Sequence, residues 1–247
     1  MKIKFLIFWS LTAIFFLLSN TTNAQDATSI LNNVDKLLFA PKDQQSEVQL
    51  ILSDKSGNQR IREAQLWQKG KEKRLFRFTS PAAEAGIGFL SLPDEVMYLY
   101  MPAFGKERRI ASHVKNQPFA GTDFTYEDME SVNYASKYKA ELLSQDDKSW
   151  YLKLTPLEGI RSDYAWVEVY VDKQHNYPLR MESYDRSGKK VKSSVYTFVK
   201  DGSYWYPKEV HMTDLKRNHS TRMISKTIKF DSNLSDDLFT VRNLIDY

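Results

Sequence analysis

The chain has 247 residues, no cysteine and a formal net charge of +4, of which Lys2 and Lys4 supply two units at the extreme N-terminus. The lack of cysteine excludes disulfides and a lipid-modified N-terminal cysteine. The near-neutral remainder carries its basic residues scattered rather than in a tract, which argues against a nucleic-acid partner. Length and the scarcity of glycine and proline favour one domain, since all-β folds reach roughly 200–250 residues undivided.

Residues 1–24 read as a cleaved signal peptide: Lys2 and Lys4, the apolar run Phe5 to Leu18, then polar residues ending at Thr22-Asn23-Ala24. The alternative, a membrane anchor, meets a run that is short for the ~20 residues a span requires. Residues 25–247 then form the exported domain. Asp26 to Phe39 carries Ile30, Leu31, Val34, Leu37 and Leu38 at helical spacing, and Ala40-Pro41 ends that helix.

From Glu47 the period changes to two. Val48, Leu50 and Leu52 alternate with polar residues up to the turn Asp54-Lys55-Ser56-Gly57-Asn58. Arg60 to Trp67, Lys73 to Phe78 and Gly86 to Leu92 follow as strands. Glu95 to Met101 is apolar or amphipathic on both faces, which predicts a strand covered on both sides. Pro102-Ala103-Phe104-Gly105 stops it, and Lys106 to Ile110 returns as a short charged strand. Thr125-Tyr126-Glu127-Asp128 has the form of a capping box and predicts a short helix. Beyond it Lys137 to Leu143, Trp150 to Leu154, Trp166 to Val171, Leu179 to Tyr184, Val191 to Val199, Tyr204 to Met212 and Arg222 to Phe230 alternate strongly, with a last helical turn at Ser235 to Phe239. About a dozen strands joined by short loops predict one large, twisted, curved antiparallel sheet. Its inner face must be covered by the two helices.

No phosphate loop, nucleophile elbow or zinc-protease motif is present. Asp123, Glu127 and Asp128 could form a general acid/base pair, or could serve the helix N-terminus. No histidine or nucleophile lies near them in sequence, which favours the second role. Lys106, Arg108, Arg109 and Lys115 could pair with those carboxylates or meet an anionic head group. His113 and His175 fall in loops, where solvated side chains are expected. His211 and His219 flank a turn holding Asp214, which reads as a polar hairpin tip, and no metal site is predicted. The 14 Phe, 14 Tyr and 5 Trp are enough to line a concave face too wide for its own side chains to fill. Phe76, Phe78, Phe89, Leu99 and Met101 share strand parity and are assigned to that apolar lining. Arg108, Arg109, Phe119 and Phe124 are assigned to the cavity mouth and lid.

Several segments stand in a telling order: Phe78-Thr79-Ser80-Pro81, Gly86-Ile87-Gly88-Phe89-Leu90, Tyr98 to Ala103, Lys106 to Ile110, Phe119 to Asp128, then Tyr177-Pro178-Leu179-Arg180 and Tyr184 to Gly188. Together they resemble the outer-membrane lipoprotein-sorting protein family, in its LolA-like periplasmic branch. The similarity runs from about Gln45 to the C-terminus, and Gly121 to Asp128 is its most specific part. The resemblance implies a mainly β fold with few helices, an unclosed β-barrel whose helices lid a hydrophobic cavity. It implies carriage of lipid or lipoprotein acyl chains towards the outer membrane, by a periplasmic monomer with no enzyme activity and no cofactor. It also implies an inner-membrane transporter as a partner, and an arginine inside the barrel that latches the lid, whose position the sequence does not mark. Two other readings stay open: an adaptor that docks on a membrane lipid transporter without carrying cargo, and a lipid hydrolase.

The N-terminal reading is checked by sequencing the exported protein. It should begin at Gln25 in the soluble fraction; a start at Met1 in the membrane pellet would overturn it.

Overall fold

The computed structural model describes residues 21–131 and 133–246. Most of the expected signal peptide, residues 1–20, lies outside these, and helix α1 spans Thr21–Leu38, a range that includes the expected cleavage point. Thirteen strands follow the order the alternating pattern dictates: β1 (Asp43–Ser53), β2 (Gln59–Lys69), β3 (Lys73–Ser80), β4 (Gly88–Leu92), β5 (Val96–Met101), β6 (Lys106–Arg109), β7 (Tyr138–Gln145), β8 (Ser149–Pro156), β9 (Trp166–Asp172), β10 (Pro178–Tyr184), β11 (Lys190–Asp201), β12 (Tyr204–Asp214) and β13 (His219–Phe230). Helices α2 (Tyr126–Met129), α3 (Tyr134–Lys137) and α4 (Val241–Ile245) are each about one turn long.

All strands belong to one antiparallel sheet in the order β6-β5-β4-β3-β2-β1-β13-β12-β11-β10-β9-β8-β7. Hairpins set every neighbour except β1 with β13, which pair over ten residues from Gln44↔Phe230 to Ser53↔Ser220. Strands β6 and β7 remain the two edges, so the barrel is unclosed. The chain between those edges, residues 110–137, crosses the concave side.

Two separate covers fill that concave side. The α1 stripe of Ala27, Ile30, Leu31 and Val34 packs on Ala140, Leu152, Leu154, Val167, Val169, Val171 and Met181 of β7 to β10. Over the other half, Phe119, Phe124, Tyr126 and Met129 pack on Val48, Leu50, Phe76, Phe78, Phe89 and Met97. Asp35, buried in α1, joins the covers by accepting from the backbone N–H of Tyr134 (2.9 Å) and Ala135 (2.8 Å) at the start of α3. It serves as an N-cap supplied from another helix.

The convex side has a cover too. Phe239 and Leu244 of the C-terminal segment bury themselves on Leu75 and Leu90, with Tyr98 and Tyr100 alongside. Strand β5 is therefore covered on both faces, as its composition predicted: Met97 and Leu99 join the inner cluster, and Tyr98 and Tyr100 lie under the tail. A Cβ at Gly88 would come within 2.7 Å of Leu244 Cδ1, so a larger residue there would have to push that side chain aside. Arg77, pointing outward from β3, donates from Nη2 to the carbonyls of Asn243 (2.5 Å) and Leu244 (3.4 Å) at the end of α4.

If the tail is integral to the fold, Leu244→Ala should cost about 2–5 kcal/mol, the usual range for emptying a buried leucine site. Urea unfolding measures this directly, and an unchanged midpoint would show the tail to be dispensable.

Candidate functional site

The lid begins with the predicted capping box. Thr125 Oγ1 accepts from the backbone N–H of Asp128 (3.2 Å), and Asp128 Oδ2 accepts from the N–H of Thr125 (2.8 Å), which starts α2. Just before it, the Asp123 carboxylate is fully buried. Its oxygens meet Arg217 Nη2 (2.7 Å), His219 Nδ1 (2.6 Å) and the Thr221 hydroxyl (2.6 Å), all from the β12–β13 hairpin. Arg62 of β2 donates to the carbonyl of Ala120 at 2.6 Å. Buried charges survive only when partnered in this way, and charge-assisted hydrogen bonds are the strong ones. The lid is thus fastened to both halves of the sheet.

Further along, Asp128 pairs with Lys192 of β11 at 2.5 Å, and Glu127 accepts from Ser162 at 2.6 Å. Lys115 and Lys137 close a ring of ion pairs with Glu95 and Glu130, at 2.7 and 3.9 Å from Lys115 and 3.2 and 2.8 Å from Lys137. Arg74 of β3 reaches under the lid. Its Nη1 donates to the carbonyls of Met129 and Glu130 at 3.1 Å each, and its Nη2 to Gln68 Oε1 at 2.7 Å.

Where the two concave covers fail to meet, a cavity of about 270 Å³ remains. That is close to the lower end of the ~300–1,000 Å³ typical of small-molecule sites. Its apolar wall includes Leu38, Phe39, Leu66, Met129, Met181, Trp205, Val210 and Met223; its polar wall includes Arg74 and the ion pairs above.

The predicted site residues divide. Phe124 lines this cavity. Phe76, Phe78 and Phe89 do face the concave side, but Phe119 fills the space between them, with ring centroids 5.4, 5.7 and 5.6 Å away. Leu99 packs beside that cluster, and Met101 is half-buried at the strand end. Arg108 and Arg109 lie on the exposed edge strand β6, with Arg108 over the Phe104 ring at 5.4 Å. They do not line the cavity, and Lys106, Arg108 and Arg109 do not pair with Asp123, Glu127 or Asp128. Those carboxylates take partners far along the chain, on β11, on the β12–β13 hairpin and at Ser162, which sequence proximity could not indicate. A histidine does stand beside Asp123, namely His219. His175 is half-buried rather than solvated, stacked on Tyr177 at 5.6 Å and tilted against Trp205 at 4.5 Å. Arg74 carries no sequence signal beyond ordinary strand polarity, and Lys115, noted in the sequence as a cation, takes Glu95 and Glu130 as partners in place of Asp123, Glu127 or Asp128.

The same architecture recurs in solved structures. A crystal structure described as a putative outer membrane lipoprotein-sorting protein domain from Vibrio parahaemolyticus is 26% identical, with TM-score 0.84 over 90% of this chain and 100% of that one. A DUF1329 family protein from Desulfovibrio piger shares the fold at 22% identity, with TM-score 0.85 over 90% and 99%. So does a LolA superfamily protein from Nitrosomonas europaea at 24% identity, with TM-score 0.74 over 88% and 98%. A family model described as "-like: Uncharacterized protein" matches residues 70–246. The chain belongs to the family that this model describes, and its fold is LolA-like. No curated protein matches it.

In this LolA-like chain one lid group titrates unusually. Burial, with Asp128 and Asp163 close by, pushes the Glu127 carboxyl up to about 7, although Ser162 and the Asp163 backbone oppose the shift. A raised carboxyl stabilises the fold fully below its unfolded pKa of about 4.5 and loses that contribution as pH rises towards 7. Glu127→Gln should therefore be nearly as stable as wild type at pH 5 but more stable at pH 8, by on the order of 2 kcal/mol in urea unfolding. Parallel pH profiles for the two proteins would refute this.

Proposed function

We propose that this chain is a periplasmic carrier that takes the acyl chains of a lipoprotein or another lipid into its cavity and moves them towards the outer membrane. The observation that carries the reading is the cavity itself. An apolar wall of Leu, Met and aromatic side chains lies open inside the barrel, beneath a lid secured by buried aromatic packing together with hydrogen bonds and ion pairs. Each methylene buried there contributes roughly 0.8 kcal/mol, so a few methylenes tune affinity tenfold. The similarity to a lipoprotein-sorting domain supports the same class of cargo. Arg74 is the residue best placed to act as the lid latch that the family resemblance implies. Export through residues 1–24 would deliver the protein to the compartment in which such cargo travels, and a transporter in the inner membrane would load it. The work is transfer, without catalysis.

An adaptor role is the second reading, and one feature favours it: Phe119 plugs half of the concave face, leaving a cavity of modest volume. A binding experiment separates the two. A dansylated fatty acid should bind wild type saturably, and Val210→Trp, which fills the cavity, should weaken it at least tenfold without lowering the unfolding midpoint. No binding to the wild-type protein would remove the carrier reading and leave the adaptor.

A further inference from the structure

The cavity wall is not uniformly apolar, and its charges are not all neutralised. Lys115 and Lys137 are held by Glu95 and Glu130, and Lys192 is held by Asp128. Arg74 differs. Every acceptor its guanidinium meets among the described residues is neutral: two main-chain carbonyls and one amide oxygen. Its Nε–H is buried without any acceptor. Burial lowers the Arg74 pKa only to about 10, so the group remains a cation at neutral pH. Glu130 stands near enough to favour the charged form but is already paired with Lys115 and Lys137, so Arg74 has no carboxylate of its own. A buried cation so placed is costly, and a buried donor without a partner adds to that cost. Both costs disappear if the natural complex supplies an anion.

We infer that Arg74 is the receptor for the anionic head of the cargo, a carboxylate or phosphate on an apolar tail, and that this head is what releases the lid. The inference rests on the carrier reading and adds cargo class and gating to it. The two carbonyls that Arg74 holds, those of Met129 and Glu130, lie at the C-terminal end of α2 and just beyond it, so the same guanidinium fastens the lid and faces the cavity. A charged acceptor makes stronger hydrogen bonds than a neutral carbonyl, and a guanidinium presents them in a bidentate fork. An arriving anion therefore displaces the lid carbonyls from Arg74. Because the Nη1 bonds become available only when the lid carbonyls let go, an anion that takes them favours the open state. The tail then lies along Leu66, Met212, Met223 and Trp205. A neutral amphiphile of equal length gains the apolar contacts but leaves the latch closed.

The test uses the full chain at pH 8, with cis-parinaric acid against its methyl ester, and pyrene-labelled phosphatidic acid against the matching diacylglycerol. Wild type should bind at least one acid about tenfold more tightly than its neutral twin, equivalent to about 1.4 kcal/mol. Whichever pair shows the larger gap identifies the head as carboxylate or phosphate. Arg74→Met should close the gap while still binding the neutral probe, and Arg74→Lys should restore part of it. Limited trypsin digestion of wild type gives a readout that needs no variant: the acid, and not the ester, should speed cleavage at Lys115 and Lys137. Equal binding of acid and ester with no change in cleavage overturns the inference and leaves the carrier reading standing. A gap that persists in Arg74→Met overturns the assignment to this residue. If none of the probes binds wild type, both the inference and the carrier reading fall.

Discussion

Everything in this molecule follows from thirteen strands that curve without closing. A barrel of that size encloses more space than its inward side chains can fill, and leaving β6 unpaired with β7 exposes the interior along one seam. The chain that joins those two edges is therefore obliged to cross the opening, and it does so as the lid. Helix α1 covers the half that the lid does not reach. The cavity is the remainder, the space between two covers built from distant parts of the sequence.

The covers are attached by different physics. Helix α1 rests on aliphatic packing against β7 to β10, which is strong, non-directional and costly to undo. The lid has an aromatic anchor at Phe119, but its α2 end is held by discrete charged contacts: Arg74 to two carbonyls, Asp128 to Lys192, and Lys115 and Lys137 to Glu130. Directional contacts of this kind can be exchanged one for another when a competing charge arrives. Asp123, tied to Arg217, His219 and Thr221, fixes the point about which the remainder of the lid is held.

The division of the aromatic residues has the same logic. Phe76, Phe78, Phe89 and Phe119 fill their half of the barrel as core: Phe76 meets Phe78 and Phe119 edge to face, Phe78 stacks on Phe119, and Phe89 is tilted against it. The open half is lined instead by methionines, which adapt their shape, and by the rim aromatics Phe39 and Trp205. One half gives rigidity and the other accommodation.

The one-turn helices α3 and α4 went unmarked, but by itself the sequence determined the strands, helix α1, the antiparallel curved sheet, the capping box at Thr125 and the two-faced burial of β5. All of these are local: period-two alternation, turn residues and cap chemistry act over a few residues. Strand parity also sorted Phe76, Phe78 and Phe89 to the inner face. Parity could not say whether that face is open or plugged, because the plug, Phe119, comes from a loop 30 residues or more along the chain. Nor could it pair Asp123 with His219, Asp128 with Lys192 or Arg74 with the end of α2. Those partnerships depend on how far the sheet curls before its edges stop, and on where the crossing chain lands. Only the tertiary structure decides that, because a buried charge selects its partner by distance in space, whatever the separation along the chain.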